Sequence, residues 1–228
     1  MQQLADRTVV IAGVENAVGA AVLRRCTAAG ARVAALPEPP DDALDAGAWS
    51  LRFADCRRVL GPPQIVVNAR HFVTRGSIAA VDGAVFGATF RRIASANWLV
   101  QQQAVLALRA AGGGTLINIT SVLARLAAAD CAALCAAARG VLMASRSAAL
   151  ECARAKDRVI VNAVLAGRID EDPLHWPDGA LLPHAPPVRA DDVAAAALFL
   201  ATDGAAYMTG VEWPVDGGWL AGLGDGVT

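Results

Sequence analysis

The chain of 228 residues is poor in the side chains that most often carry proton-transfer chemistry. It has one tyrosine, Tyr207, and one lysine, Lys156, and these two residues lie too far apart in the sequence to share one turn of a helix. Its three histidines, His71, His175 and His184, stand in predicted loops, where a lone histidine is usually solvated. A tyrosine activated by a neighbouring lysine is therefore excluded, and a relocated histidine mechanism is the weaker alternative.

Runs of charge are also lacking. The net charge is −1, and all but one of the 20 basic residues are arginines scattered among 21 acids. This pattern predicts neither a nucleic-acid surface nor a segment that binds anionic lipid. The N-terminus is polar, and we find no uninterrupted apolar run near the roughly 20 residues that span a bilayer. At 55% hydrophobic residues the chain can bury one core, so we expect a single cytoplasmic domain over residues 1–228.

The chain has too few and too irregularly spaced cysteines for a disulfide framework. The five are Cys26, Cys56, Cys131, Cys135 and Cys152. An odd number without an export signal indicates reduced thiols, and no Cys-x-x-Cys or nearby histidine completes a zinc site. We therefore expect no metal, and we interpret the cysteines as small apolar fillers.

What the sequence does contain is a regular alternation of strand and helix. Short β-branched runs at 8–12, 32–36, 64–68, 115–119, 158–164 and 211–215 predict strands, and helical patterns are found at 17–29, 91–111, 131–154 and 190–201. Continuous apolar strands between helices indicate a mostly parallel sheet covered on both faces. The fold class is therefore α/β, a single doubly wound Rossmann-type domain flanked by helices.

Six landmarks occur in a fixed order along this pattern. They are Gly13 to Gly19 after the first strand, Val67-Asn68-Ala69-Arg70, Asn97, Ile117 to Ser121, Val161 to Gly167, and Val215-Asp216-Gly217-Gly218. Together they resemble the short-chain dehydrogenase/reductase family over nearly the whole chain. The resemblance implies a nicotinamide dinucleotide bound at the first strand-to-helix turn and a tyrosine–lysine pair beside an active-site serine.

The cofactor turn departs from the family pattern. The family's Thr-Gly-x-x-x-Gly-x-Gly has become Ala12-Gly13-x-x-x-Ala17-x-Gly19, with Glu15 inside the loop. A methyl group at Ala17 would crowd a phosphate, and Glu15 would repel one. Gly13 and Gly19 can be explained by structure alone, because the tight strand-to-helix turn itself requires glycine.

Two further cofactor positions are altered. The second strand ends in Leu36-Pro37 where the resemblance implies an acid for the ribose, and Glu38 is a late and poor substitute. Arg70 follows Asn68 where the family keeps a glycine under the cofactor. The stretch from Leu36 to Val67 also looks short, as if much of the helical crossover were missing. We therefore expect no cofactor to be bound by this chain.

The catalytic positions are altered as well. Asn97 and Ser121 match the family's asparagine and serine, but Leu134 and Ala138 stand at the tyrosine and lysine positions. Neither replacement can transfer a proton or stabilise an anion. Asn97 and Ser121 also have ordinary structural readings, as a hydrogen bond to a neighbouring helix turn and a strand-end hydroxyl. We expect no catalytic residue in this chain.

The predicted function is that of a noncatalytic subunit. Members of the family associate through helices that correspond to 91–111 and 131–154 and through the last strand, and these segments are intact. The expected partner is an active short-chain dehydrogenase that binds NAD or NADP, in a heterotetramer built as a dimer of dimers. The pattern is similar to the inactive subunit of the two-component 2-(hydroxybenzyl)succinyl-CoA dehydrogenase of anaerobic toluene degradation, a step of acyl-CoA β-oxidation type.

Two alternatives stay open. The chain could be a stand-alone NAD(P)-dependent oxidoreductase whose proton donor lies in the loop from Gly167 to Val188. It could also be a homomeric ligand-binding or regulatory protein.

Overall fold

A computed structural model describes residues 3–38, 45–70, 72–170 and 187–221 of the chain. Six parallel strands form one sheet in the order β2-β1-β3-β4-β5-β6. Their bounds are β1 Thr8–Ala12, β2 Arg32–Leu36, β3 Ile65–Asn68, β4 Gly114–Ser121, β5 Val159–Ala166 and β6 Glu212–Val215. The predicted doubly wound α/β class is confirmed.

Six α-helices connect the strands. They are α1 Ala17–Ala28, α2 Ala46–Leu60, α3 Gly83–Phe90, α4 Ala96–Ala110, α5 Ala132–Ala155 and α6 Ala190–Leu200. A π-helical turn, Arg91–Ser95, leads into α4, and 3₁₀ turns cover Val122–Ala124 and Asp203–Ala205. The predicted helix that began at Arg91 is thus a π-helical turn followed by α4.

The crossover between β2 and β3 corrects the sequence prediction. We expected much of it to be missing, yet α2 supplies 15 helical residues. Asp45 caps this helix, because its carboxylate accepts hydrogen bonds from the N–H groups of Gly47 and Ala48. Trp49 and Phe53, four residues apart, are buried against the sheet.

Alternate residues of the strands divide the core between the two faces of the sheet. Val9 and Ile11 of β1 point toward α1 and α6, while Val10 and Ala12 point toward α2 and α4. This period of two is what a strand covered on both faces requires. All carboxyl ends of the strands therefore meet at one edge, where ligands bind in open α/β sheets.

Helix α5 is 24 residues long and is the one described helix long and apolar enough to cross a membrane. The apolar character of this helix was not recognised from the sequence. One side of α5 is buried, including Leu134, Val141 and Leu142. That side packs on β5 and β4, so α5 serves as a core helix of this domain.

The five cysteines are free thiols, and all but Cys135 are buried. Burial raises the pKa of Cys26 to about 11, which is the behaviour of an inert core thiol. Among the residues that the structure describes, no group of three or more His, Cys, Asp or Glu side chains could hold a metal ion.

A buried polar layer joins β3 and β4 to the helices above them. Asn118 donates hydrogen bonds from Nδ2 to Gln101 Oε1 (2.8 Å) and to Ser145 Oγ (3.0 Å). Asn118 Oδ1 accepts from Nδ2 of Asn68 at 3.1 Å. One side chain thus links two strands to α4 and α5, and both the Nδ2 and the Oδ1 of Asn118 are hydrogen-bonded inside the protein.

The layer predicts unequal effects for two serines of α5. Replacing Ser145 by Ala should lower the free energy of unfolding by about 1–2 kcal/mol, because Asn118 loses a buried acceptor. Ser147→Ala is the matched control, since Ser147 is exposed and bonds Glu151 on the same helix. Denaturant unfolding of both variants measures the difference, and equal effects would contradict the proposed role of the layer.

Candidate cofactor cleft and catalytic position

The candidate cleft lies at the carboxyl ends of β1 and β3, where the direction of the chain crossovers reverses. From β1 the chain crosses to β2 on one side and then returns to β3 on the other. Such a switch point leaves a crevice that dinucleotides occupy in doubly wound folds. In this chain the crevice is bordered by the turn after β1, by Glu38 after β2 and by Arg70 after β3.

The two glycines of the turn are required by the turn itself. Gly13 has φ +84°, and a Cβ placed there would lie 2.8 Å from the backbone nitrogen of Arg70. A Cβ at Gly19 would lie 1.9 Å from the carbonyl oxygen of Gly13. The close approach of neighbouring backbone atoms therefore accounts for both glycines without a ligand, and the sequence pattern had indicated the same structural role.

Asn16 closes the turn, and sequence analysis did not identify it. Its Oδ1 caps α1 by accepting from the N–H of Gly19 at 2.9 Å. Its Nδ2 donates to the carbonyl oxygens of Gly13 (2.8 Å) and Ala69 (2.9 Å). The signal was available, since asparagine directly before a helical run is a preferred N-cap.

Arg70 is the central residue of the cleft. Its side chain is fully buried, and Nη2 forms an ion pair with Oε1 of Glu38, which is one fifth exposed. Because β1 lies between β2 and β3, a contact between residues beyond the ends of those outer strands passes over the end of β1. The two outer strands are two strand spacings apart, about 10 Å. An arginine side chain and a glutamate side chain together are long enough to cover this distance.

This contact corrects the interpretation of Glu38. From sequence Glu38 was a poor substitute for a ribose-binding acid, whereas in the structure it is the partner of Arg70. The Arg70 guanidinium engages Oε1 of this carboxylate. The charge at this position therefore stabilises the protein's own side chain.

Aromatic rings enclose the guanidinium. The Cζ of Arg70 lies 5.9 Å from the ring centre of Trp49 and 5.3 Å from that of Phe72. These are cation–π distances, which are most favourable for a desolvated arginine. Trp49 is fully buried, so α2 provides a wall of the cleft.

Burial lowers the pKa of the Arg70 guanidinium, and the carboxylates of Glu38 and Glu15 oppose that shift. Arginine nevertheless stays protonated in proteins, so the group remains a cation. Glu15, placed by sequence in the path of a phosphate, is exposed and adds negative potential near Arg70.

The crevice departs from the family's cofactor pattern at four positions. A buried arginine spans the end of β1, its counter-ion takes the place after β2, and Ala17 begins α1 where the family pattern has glycine. Leu36 is buried at the end of β2 and offers no hydrogen-bonding side chain. The residues predicted to disrupt the cofactor site, Ala12, Ala17, Leu36 and Arg70, thus border one crevice.

The catalytic position is filled by an apolar cluster. Leu134 and Ala138 of α5 are buried together with Ile93, Val122 and Leu142. Trp219, which follows β6, belongs to the same cluster. None of these six side chains is an acid, a base or a cation.

The two residues that match the family's catalytic set have structural partners. Ser121 Oγ accepts a hydrogen bond from the N–H of Leu123 at 3.2 Å and caps a 3₁₀ turn. Asn97 Nδ2 donates to the backbone carbonyl oxygen of Ile93 at 2.7 Å, and the backbone carbonyl oxygen of Asn97 accepts from Nδ2 of Asn68 at 3.3 Å. Both residues therefore have hydrogen-bond partners within the protein.

The histidine alternative lies outside the described residues, as do His71, His175 and His184 themselves. The described ends of the loop from Gly167 to Val188 are joined by a bridge between Ile169 and Val188. Its residues 171–186 also lie outside the described part of the chain.

The Arg70–Glu38 pair should show coupling in a double-mutant cycle. Arg70→Gly should lower the free energy of unfolding by about 3 kcal/mol, because Glu38 loses its counter-ion and a cavity opens. In the Arg70→Gly background, adding Glu38→Gln should lower the free energy of unfolding little further, because it also removes the unpaired charge of Glu38. Denaturant unfolding of the four proteins gives the coupling energy, and strictly additive effects would contradict the pairing.

Comparison with known proteins agrees with this fold. A family model described as enoyl-(acyl carrier protein) reductase, of the short-chain alcohol dehydrogenase type, matches residues 5–220. The 2,5-dichloro-2,5-cyclohexadiene-1,4-diol dehydrogenase LinX of Sphingobium indicum is 28% identical over 97% of this chain and 99% of its own length.

Two further relatives have instructive names. The trans-4-hydroxycyclohexanecarboxylate dehydrogenase of Sinomonas cyclohexanicum is 28% identical over 79% of this chain and 70% of its own length. A protein named inactive 2-(S)-hydroxypropyl-CoM dehydrogenase 2, from Xanthobacter autotrophicus, is 28% identical over 79% of this chain and 83% of its own length. With the family model spanning nearly the whole sequence, the chain belongs to the short-chain dehydrogenase/reductase family of oxidoreductases.

Proposed function

We propose that this chain is a noncatalytic, pseudoenzyme subunit of a heteromeric short-chain dehydrogenase in the cytoplasm. The observation that carries the proposal is the buried Arg70–Glu38 pair, which spans the crevice where a family member would hold its cofactor. The apolar cluster around Leu134 and Ala138 supports it independently. The chain itself binds no cofactor, and NAD or NADP is held by an active, homologous partner.

The outer surface of α4 and α5 is the proposed assembly surface. Large apolar side chains are left partly exposed there: Trp98 at 50%, Leu106 at 53% and Leu150 at 63%. Between the helices lies a groove of about 250 Å³, lined by residues that include Trp98, Val105, Leu106 and Ala148. Apolar groups of this size in an exposed patch are typical of protein interfaces.

The small residues of α5 contribute less to this surface than their sequence spacing suggests. Ala133, Ala137 and Ala138 are buried within the subunit, whereas Ala132 and Ala136 are exposed. Burial inside the monomer explains the first three. The large side chains, rather than a continuous small-residue stripe, are therefore the stronger basis for an interface.

The partner oxidises a hydroxyl group in this proposal, because the named relatives are dehydrogenases of alcohols. A hydroxyacyl-CoA such as 2-(hydroxybenzyl)succinyl-CoA is the substrate suggested by the pattern of losses, with a dimer of dimers as the assembly. A relative that is itself named inactive supports the idea that members of this family persist without activity.

The decisive experiment is co-purification of the tagged chain with an active short-chain dehydrogenase encoded beside it. We expect a stable complex whose NAD(P)-dependent alcohol oxidation depends on the partner's tyrosine. The isolated chain should show no saturable binding of NADH or NADPH by calorimetry. Saturable cofactor binding together with turnover by the chain alone would instead support the stand-alone oxidoreductase, and a homotetramer indifferent to active homologues would support the regulatory protein.

The assembly surface makes a separate prediction. Leu106→Glu should reduce recovery of the partner at least tenfold, because a charge at the centre of an apolar interface is left desolvated. Leu51→Glu on α2 is the matched control, since Leu51 is 69% exposed outside this surface. Equal recovery with both variants would place the interface elsewhere.

Restoring the missing pair should not restore activity. Leu134→Tyr with Ala138→Lys places a large polar group and a cation in a buried apolar cluster, which should lower the free energy of unfolding by more than about 2 kcal/mol. Ala136→Lys is the control on the exposed side of the same helix. Dehydrogenase activity in the double variant would refute the proposed block of the cofactor cleft.

A further inference from the structure

Three arginines converge on a groove that is separate from the apolar groove between α4 and α5. It has a volume of about 390 Å³ and is lined by Arg125, Arg139, Arg146, Gly210 and Glu212. We call it the arginine groove. It lies between the 3₁₀ turn after β4, helix α5 and the start of β6, and it shares no residue with the groove between α4 and α5.

Glu212 fixes two of the guanidinium groups. Its Oε1 lies 3.2 Å from Nη1 of Arg146, and its Oε2 lies 3.6 Å from Nη1 of Arg125. The Glu212 side chain is only 14% exposed, while the two arginines are about half exposed. The carboxylate thus forms the inner wall of the groove, and the arginines reach outward from it.

Arg139 is held independently of Glu212. Its Nη1 donates to the carbonyl oxygen of Ala124 at 3.2 Å, which places it beside the neighbouring Arg125. Arg139 and Arg146 are seven residues apart on α5 and therefore share one side of the helix. The fold itself brings the three cations to one place.

The charges of the groove do not balance. Three guanidinium groups face one carboxylate, so about two positive charges stay uncompensated among the lining residues. Each guanidinium has about five N–H donors, yet the described residues give Arg139 and Arg146 one hydrogen bond each. Most donors are therefore open to a ligand.

We propose that the arginine groove binds the diphosphate group of a small anion. Arginine recognises phosphate oxygens through paired N–H groups, and a polyanion offsets the uncompensated positive charge of the lining. The lining offers no aromatic or large aliphatic side chain, so an apolar ligand has nothing to contact. The volume suits a pyrophosphate or the phosphates of a nucleotide.

The test is calorimetric titration of the full chain with pyrophosphate and, separately, with ADP, at constant ionic strength. Arg139→Gln and Arg146→Gln should each weaken binding about two- to fivefold, the scale of an exposed charge pair. Glu212→Gln should tighten it by a similar factor, because it removes the competing carboxylate. Arg154→Gln, an exposed arginine on the same helix, is the control and should have no effect.

The two ligands identify the source of the phosphate. Equal binding of both indicates recognition of the phosphates alone, and tighter binding of ADP indicates an organic phosphate ligand. Either result supports the site if the variants behave as described. Absence of saturable binding, or binding that Glu212→Gln fails to tighten, overturns the proposal, and neither outcome bears on the assembly with an active partner.

Discussion

A guanidinium group with no exposed surface must find its counter-charge inside the protein, and this requirement governs the candidate cleft. Desolvation of an arginine is costly unless a carboxylate and favourable packing compensate for it. Arg70 obtains both, from Glu38 just after β2 and from the rings of Trp49 and Phe72. The parallel order β2-β1-β3 makes this possible, since it brings the ends of β2 and β3 to either side of β1.

The same strand order makes the borders of the cleft depend on one another. In a doubly wound sheet the phosphate turn, the ribose position and the segment after β3 belong to different parts of the sequence but border one crevice. A side chain that extends into the crevice from one border therefore changes which groups the residues of the other borders can contact. Glu38 and Asn16 accordingly bond to the protein's own groups, which are Arg70 and the backbone around Gly13 and Ala69.

The sequence predicted the architecture well because its signals are local. Apolar β-branched runs, helical periods and glycine turns each act within a few residues, and their alternation indicates a parallel sheet covered by helices. The replacement of the family's tyrosine and lysine by Leu134 and Ala138 was equally visible, because it is a matter of residue identity alone. The Arg70–Glu38 contact was not predictable in this way, since it joins residues 32 positions apart through side-chain reach and not through pattern. Helix α2 was missed although Trp49 and Phe53 carried its period, because the short connection suggested a missing crossover.

The pairing of Arg70 with Glu38 also constrains substitution at both positions. Replacement of either residue alone leaves the other charge without its partner in a largely buried site, so each single substitution weakens the fold. Replacing both residues together avoids the unpaired charge. The two positions are therefore expected to vary together or not at all.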